Sequence, residues 1–154
     1  MRLIFSIFFS LLIFISFAQK NNVQPALQKK YLPTEVSNLF LGMSVADLRK
    51  LRPTVSKPKD EFDINLIEKV KTGLVNEITY QFNPQDSSVS EFMIQYKKKT
   101  DAFKIAYKLF GKPNFVGDGF NERWKFDLAD GMKIVIWIYN SKICILDNGD
   151  GTFR

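Results

Sequence analysis

The sequence predicts an α+β fold: tandem units of one helix and three strands, with the helices packed on one face of an antiparallel sheet. Three observations predict it. Two short stretches, "GMSVADLRKLRP" and "TDAFKIAYKLFGKP", carry helix caps, helical apolar spacing and stop residues. Each is followed by runs of strand length in which apolar residues alternate. The order of helix and three strands then repeats, over residues 42–99 and 100–154, and order alone supports the repeat because the halves share little residue identity.

In the first unit, Ser44 is an N-cap residue with Asp47 three positions on, a capping box with aspartate in place of glutamate. Val45, Leu48 and Leu51 recur at near-helical spacing, and Pro53 stops the helix. Gly42 and Ser44 thus read as turn and cap, and nothing there requires catalysis. "FDINLIEKV" is an irregular strand; "LVNEITYQF" sets Leu74, Ile78, Tyr80 and Phe82 on one face. After the turn "NPQDSS", "SEFMIQY" does the same with Phe92, Ile94 and Tyr96. In the second unit Thr100 caps a helix whose apolar stripe is Phe103, Ala106, Tyr107 and Phe110, with Lys104, Lys108 and Lys112 on a separate stripe. Gly111 ends it, and Pro113 prevents its return. The strands "ERWKFDL", "MKIVIWIY" and "KICILD" follow, the last two joined by "NS" as a tight hairpin.

The first residues, "MRLIFSIFFSLLIFISFAQK", set the compartment. Arg2 is a minimal positive start, Leu3 to Phe17 form an apolar core, and Ser16 and Ala18 are small residues placed for cleavage. The run falls short of the ~20 apolar residues that a spanning helix needs. Residues 1–18 therefore read as a cleaved signal peptide, 19–34 as a polar linker and 35–154 as one domain. The mature chain is expected to be exported, periplasmic or secreted, with no integral membrane span. Losing Arg2 takes the formal net charge from +6 to +5. Basic and acidic residues interleave except at Lys97, Lys98 and Lys99, which read as a solvated turn, so no nucleic-acid partner is expected.

Several chemistries are excluded. No histidine is present, which removes the Ser-His-Asp and Cys-His arrangements and histidine metal sites. Cys144 is the only cysteine, so no intramolecular disulfide forms; it reads as a small buried hydrophobe. "GKPNFVGDG" follows a helical pattern and lacks the serine or threonine of a phosphate loop. "DNGDGT", from Asp147, puts Gly149 and Gly151 where a calcium loop needs side-chain oxygens, and reads as a solvated turn. No cofactor, no metal and no catalytic residue are expected. Glu77, Glu91, Arg123 and Lys125 are the outward-facing candidates for a histidine-free enzyme, with the two glutamates able to face each other across strands if the register allows it.

"GMSVADLRKLRP" resembles the helix opening of the small exported domains related to beta-lactamase-inhibitor protein and to the small lipoprotein of the outer-membrane assembly machinery. "LFGKPN" resembles the leucine, glycine, proline ending of the same helices. Over residues 39–154 the resemblance implies helices on one face of an antiparallel sheet, with the open face used to bind other proteins. The chain departs from both relatives: the inhibitor's disulfides are impossible with one cysteine, and the lipoprotein's anchor cysteine is absent. Neither specific partner nor any site residue carries over.

The strand "MKIVIWIY" is apolar on both faces. Ile134, Ile136 and Ile138 alternate with Val135, Trp137 and Tyr139, whereas a sheet covered on one side needs only one apolar set. With the isoleucines beneath the helices, and Trp124, Phe126 and Leu128 joining that core, Val135, Trp137, Tyr139 and Leu146 line the open face beside Arg123 and Lys125. Aromatic residues flanked by arginine and lysine have the composition of a binding surface. Phe115 and Phe120 lie near a sheet end, where exposed aromatics extend such a site, although at least one of them is expected to anchor the loop into the core instead. The expectation is a non-catalytic module binding a protein or peptide; a binder of a lipid, glycan or peptidoglycan fragment is the alternative. The N-terminal segment or a second copy, as a homodimer, can equally cover the face.

Overall fold

The computed structural model describes residues 24–57, 64–116 and 122–147. The expected signal peptide, Phe120 and the stretch after Asp147 lie outside these. Helix α1, Pro25–Gln28, begins with proline at its first position, where the missing N–H costs nothing. Two 3-10 turns follow, Lys29–Tyr31 and Thr34–Val36. This corrects the expected linker, because the segment is part of the domain. The Tyr31 ring stacks on Phe126 with centroids 4.3 Å apart, and Leu32 and Val36 are buried. Gln28 is also fully buried: the Leu41 N–H donates to its Oε1 at 2.8 Å, and its Nε2 donates to the Leu41 carbonyl at 3.1 Å. An amide that satisfies both a donor and an acceptor can enter a core, which is why polarity alone misread the segment.

Helix α2, Val45–Leu51, is capped as expected: the Asp47 N–H donates to Ser44 Oγ at 3.1 Å, and Gly42 turns the chain with φ +88°. It has two turns, so only Leu48 is fully buried and Leu51 is half exposed. Helix α3, Lys99–Phe110, starts one residue before Thr100, with Lys98 at the N-cap and no side-chain cap bond. Its buried centre is Ala102 and Ala106, which rotates the expected stripe and leaves Tyr107 38% exposed. Small residues there let the helix approach the sheet closely. Gly111, φ +73°, ends it and donates to the Tyr107 carbonyl at 3.0 Å.

The strands are β1 (Asn65–Lys69), β2 (Val75–Phe82), β3 (Val89–Tyr96), β4 (Phe115–Val116), β5 (Glu122–Asp127), β6 (Lys133–Tyr139) and β7 (Lys142–Asp147). Two-residue β4 adds a fourth strand to the expected second set. All seven form one antiparallel sheet in the order β1-β2-β3-β7-β6-β5-β4. Each set of strands is a meander, and the last strand of each pairs with the other. The β2–β3 register shifts twice, between Val75 and Glu77 and between Gln81 and Phe82; the first shift reverses the phase at the start of β2, so Val75 is buried and Leu74, expected in the core, is 53% exposed. Short contacts extend the pairing at both sides of the sheet. On the β1 side Ser56 exchanges two backbone hydrogen bonds with Ile67; on the β5 side the Asn114 amide accepts from the Lys125 N–H at 2.8 Å and donates to its carbonyl at 3.0 Å.

Trp124, Ile136, Ile145, Phe92, Tyr80 and Leu66 lie in one register row, are all buried and head the core. The helical segments contact residues on this register face. Tyr107 meets Trp124 edge-on at 5.8 Å, Phe110 lies 5.7 Å from it, and the Trp124 indole donates to the Gly111 carbonyl at 3.1 Å. Among the described residues no helix is long and apolar enough to cross a membrane.

Replacing Gln28 by leucine leaves the Leu41 N–H and carbonyl buried without partners, so the unfolding free energy should fall by roughly 2–4 kcal/mol. Chemical denaturation of parent and variant checks this; an unchanged midpoint would mean that the segment is a linker after all.

Candidate functional site

Directly paired residues of antiparallel strands share a face, so the register places the second face without ambiguity. One row runs Phe115, Arg123, Trp137, Cys144, Met93 and Thr79; the next runs Lys125, Val135, Leu146, Glu91 and Gln81. A third holds Tyr139, Lys142, Gln95, Glu77 and Lys69. All six residues singled out from the sequence, Trp137, Tyr139, Val135, Leu146, Arg123 and Lys125, therefore lie together on the face opposite Trp124.

They do not contribute equally. Tyr139 is 58% exposed at a strand end, and Trp137, Leu146, Arg123 and Lys125 are half-buried. Val135 is fully buried, so it floors the face instead of lining it. The reason is its position in the middle of β6: Lys125 and Leu146 stand directly on either side, and Trp137 follows two residues on. Phe115 joins from the sheet margin, with the Lys125 ammonium 5.6 Å from its ring centroid, a cation-π distance. Met93 was missed; the alternation of "SEFMIQY" contains the signal, since Met93 falls opposite the core set.

Glu77 and Glu91 share this face but do not oppose each other, because the register pairs Glu77 with Gln95 and Glu91 with Gln81. Glu77 forms an ion pair with Lys69. Glu91 is buried among its row neighbours, and burial pushes its carboxyl up to about 7, with Lys142 pulling the other way. Cys144 is buried too; burial first and the Glu91 charge second push its thiol up to about 12. A thiol held that high is not a nucleophile at neutral pH.

A second group of titratable residues lies on the core side. The Tyr80 hydroxyl donates to Glu68 at 2.5 Å, Arg52 lies 3.6 Å from Glu68, and Arg52 also donates to the Glu35 carbonyl and to Asn38. Tyr96 donates to Glu35 at 3.5 Å. Burial raises both tyrosines well above the ordinary phenol range, so neither supplies a phenolate. The group fastens the end of α2 and the Thr34–Val36 turn to β1, β2 and β3. Among the described residues no three metal-ligating side chains are grouped to hold an ion.

A scan against protein-family models and comparisons with curated proteins and with solved structures return no match to this chain.

The raised Glu91 carboxyl has a signed consequence. Folded Glu91 holds its proton more tightly than the unfolded chain, whose carboxyl titrates near 4.5. Its contribution is therefore full below that pH and is lost as pH rises through about 7, on the order of 2–3 kcal/mol. Glu91→Gln should raise the melting temperature at pH 8 and flatten its fall between pH 5 and 8; a parallel fall in both proteins would refute the assignment. Cys144 should resist a thiol reagent in the native protein and react once denaturant is added.

Proposed function

We propose that the protein is an exported, non-catalytic interaction module that binds a protein or peptide through the sheet face carrying Trp137. One observation carries the reading: the helical segments reach Phe126, Trp124, Glu68 and Tyr96 on one face, while the opposite face gathers Trp137, Tyr139, Leu146 and Phe115 beside Arg123 and Lys125. We infer that the helices cover a single face. Tyr31 and Glu35 contact Phe126 and Tyr96 on the core side, so residues 24–36 are not what covers the other.

The composition fits recognition better than chemistry. Half-buried aromatic residues supply contact area at low entropic cost, and the flanking cations supply direction. A nearly neutral buried carboxyl, a suppressed thiol and two suppressed phenols offer no activated nucleophile. An open face opposite the helices is also what the resemblance of the helix ends implies, and the apolar start of the chain supports export to the periplasm or beyond.

The test is affinity capture from an envelope fraction with the parent chain beside a Trp137→Ala, Tyr139→Ala variant whose melting shows it folded. Removing two such anchors should weaken binding by roughly 100-fold or more, about 3 kcal/mol. Lys125→Glu, which leaves the aromatic residues in place, should weaken it less. If the same proteins come down with every chain, the face is not the site; a parent chain that captures only itself would assign the face to a homodimer.

A further inference from the structure

The strand ends divide the charge of the molecule in two. At one end meet the turn after β1, the β3-to-α3 junction and the β6–β7 hairpin. Backbone hydrogen bonds tie them together: the Lys97 N–H donates to the Leu74 carbonyl at 2.9 Å, and the Tyr96 N–H to the Ser141 carbonyl at 2.8 Å. Among the described residues this end carries Lys69, Lys71, Lys97, Lys98, Lys99 and Lys142, against Asp101, Glu122 at the start of β5, and Glu77, which is paired with Lys69. Among the described residues the opposite turns and strand ends carry Asp86, Asp127, Asp130 and Asp147 with Lys133.

The lysine end also holds the two most exposed large hydrophobic side chains described, Tyr139 at 58% and Leu74 at 53%. Lys69 pairs with Glu77 and Lys99 lies over the Phe103 ring, but the helix start gains nothing from its run of cations. Lys97, Lys98 and Lys99 sit at the positive end of the α3 dipole, where cations are disfavoured and where a serine or aspartate cap would be expected. Residues that work against the local rule point to a gain outside the chain.

We infer that this end docks on an anionic phospholipid surface, with the lysines against the headgroups and Leu74 and Tyr139 seated at the headgroup boundary. Lysines explain attraction to any polyanion, but Leu74 selects among them. A soluble polyanion offers an exposed leucine nothing to enter, whereas a lipid interface takes up leucine and tyrosine and attracts the surrounding cations. The surface shares Tyr139, Lys142 and Lys69 with the edge of the Trp137 face, and Leu74, Lys71, Lys97, Lys98 and Lys99 lie beyond it.

The test uses the full chain with Leu74→Cys carrying an environment-sensitive fluorophore, since Cys144 is buried and stays unlabelled in the native protein. Vesicles of phosphatidylcholine mixed with phosphatidylglycerol should shift the emission to the blue. Pure phosphatidylcholine should not, and salt should reverse the shift. Adding Lys71→Glu, Lys97→Glu and Lys98→Glu should weaken the response at least about 100-fold. These lysines are exposed, and reversing the charge at Lys97 and Lys98 improves the fit to the helix dipole, so lost binding would not mean lost folding. A label at Gln85→Cys, in the opposite turn, should stay silent. The inference is overturned by an unchanged Leu74 signal on the anionic vesicles, by an equal signal on neutral ones, by a response that survives charge reversal, or by an equal response at Gln85. None of these substitutions touches Trp137, so capture through that face stands or falls separately.

Discussion

The pairing of β3 with β7 is the constraint on which the rest depends. Each set of strands alone is a small meander with one exposed inner margin, and three strands with one apolar face are near the lower limit of independent stability. Joining them through Phe92 with Ile145, and Ile94 with Ile143, turns two such pieces into one continuous sheet with a single core. The junction is long-range in sequence and requires the chain to close a loop of about a third of its length, which favours late formation in folding.

That junction also explains the character of the second face. Strands at the centre of a wide sheet are sheltered by neighbours on both sides, on either face. Val135, Cys144 and Glu91 are buried for this reason, whereas Tyr139 at a strand end is not. The apolar second set in "MKIVIWIY" is thus in part a property of central position. Trp137 and Leu146, beside Arg123 and Lys125, are only half-buried at the same depth in the sheet.

Much of the fold was legible because caps and alternation act locally. Ser44 with Asp47, Gly111 with Pro113, and the register of Phe92, Ile94 and Tyr96 behave as their spacing requires. Failures came where a distant contact decided. Gln28 reads as polar until the Leu41 backbone supplies both of its partners; Leu74 reads as core until the bulge after Val75 reverses the phase; the α3 stripe follows its alanines because the sheet approaches closely. The six face residues were legible as a set, since period two fixes side, but Val135 could not be told from its neighbours without knowing which strands flank β6. The basic end was not legible at all: its lysines and Leu74 come from three separate turns.

The two sheet margins carry a different implication. A sheet with free margins recruits further strands, which is how extended segments are captured by some folds and how fibres grow from others. Here Ser56 and the Asn114 amide occupy backbone groups that an incoming strand would need, and β4 covers only two residues beyond. An incoming strand would find the Ile67 backbone already taken on one side and only the two residues of β4 on the other, so lateral addition at either side starts from a short and interrupted template.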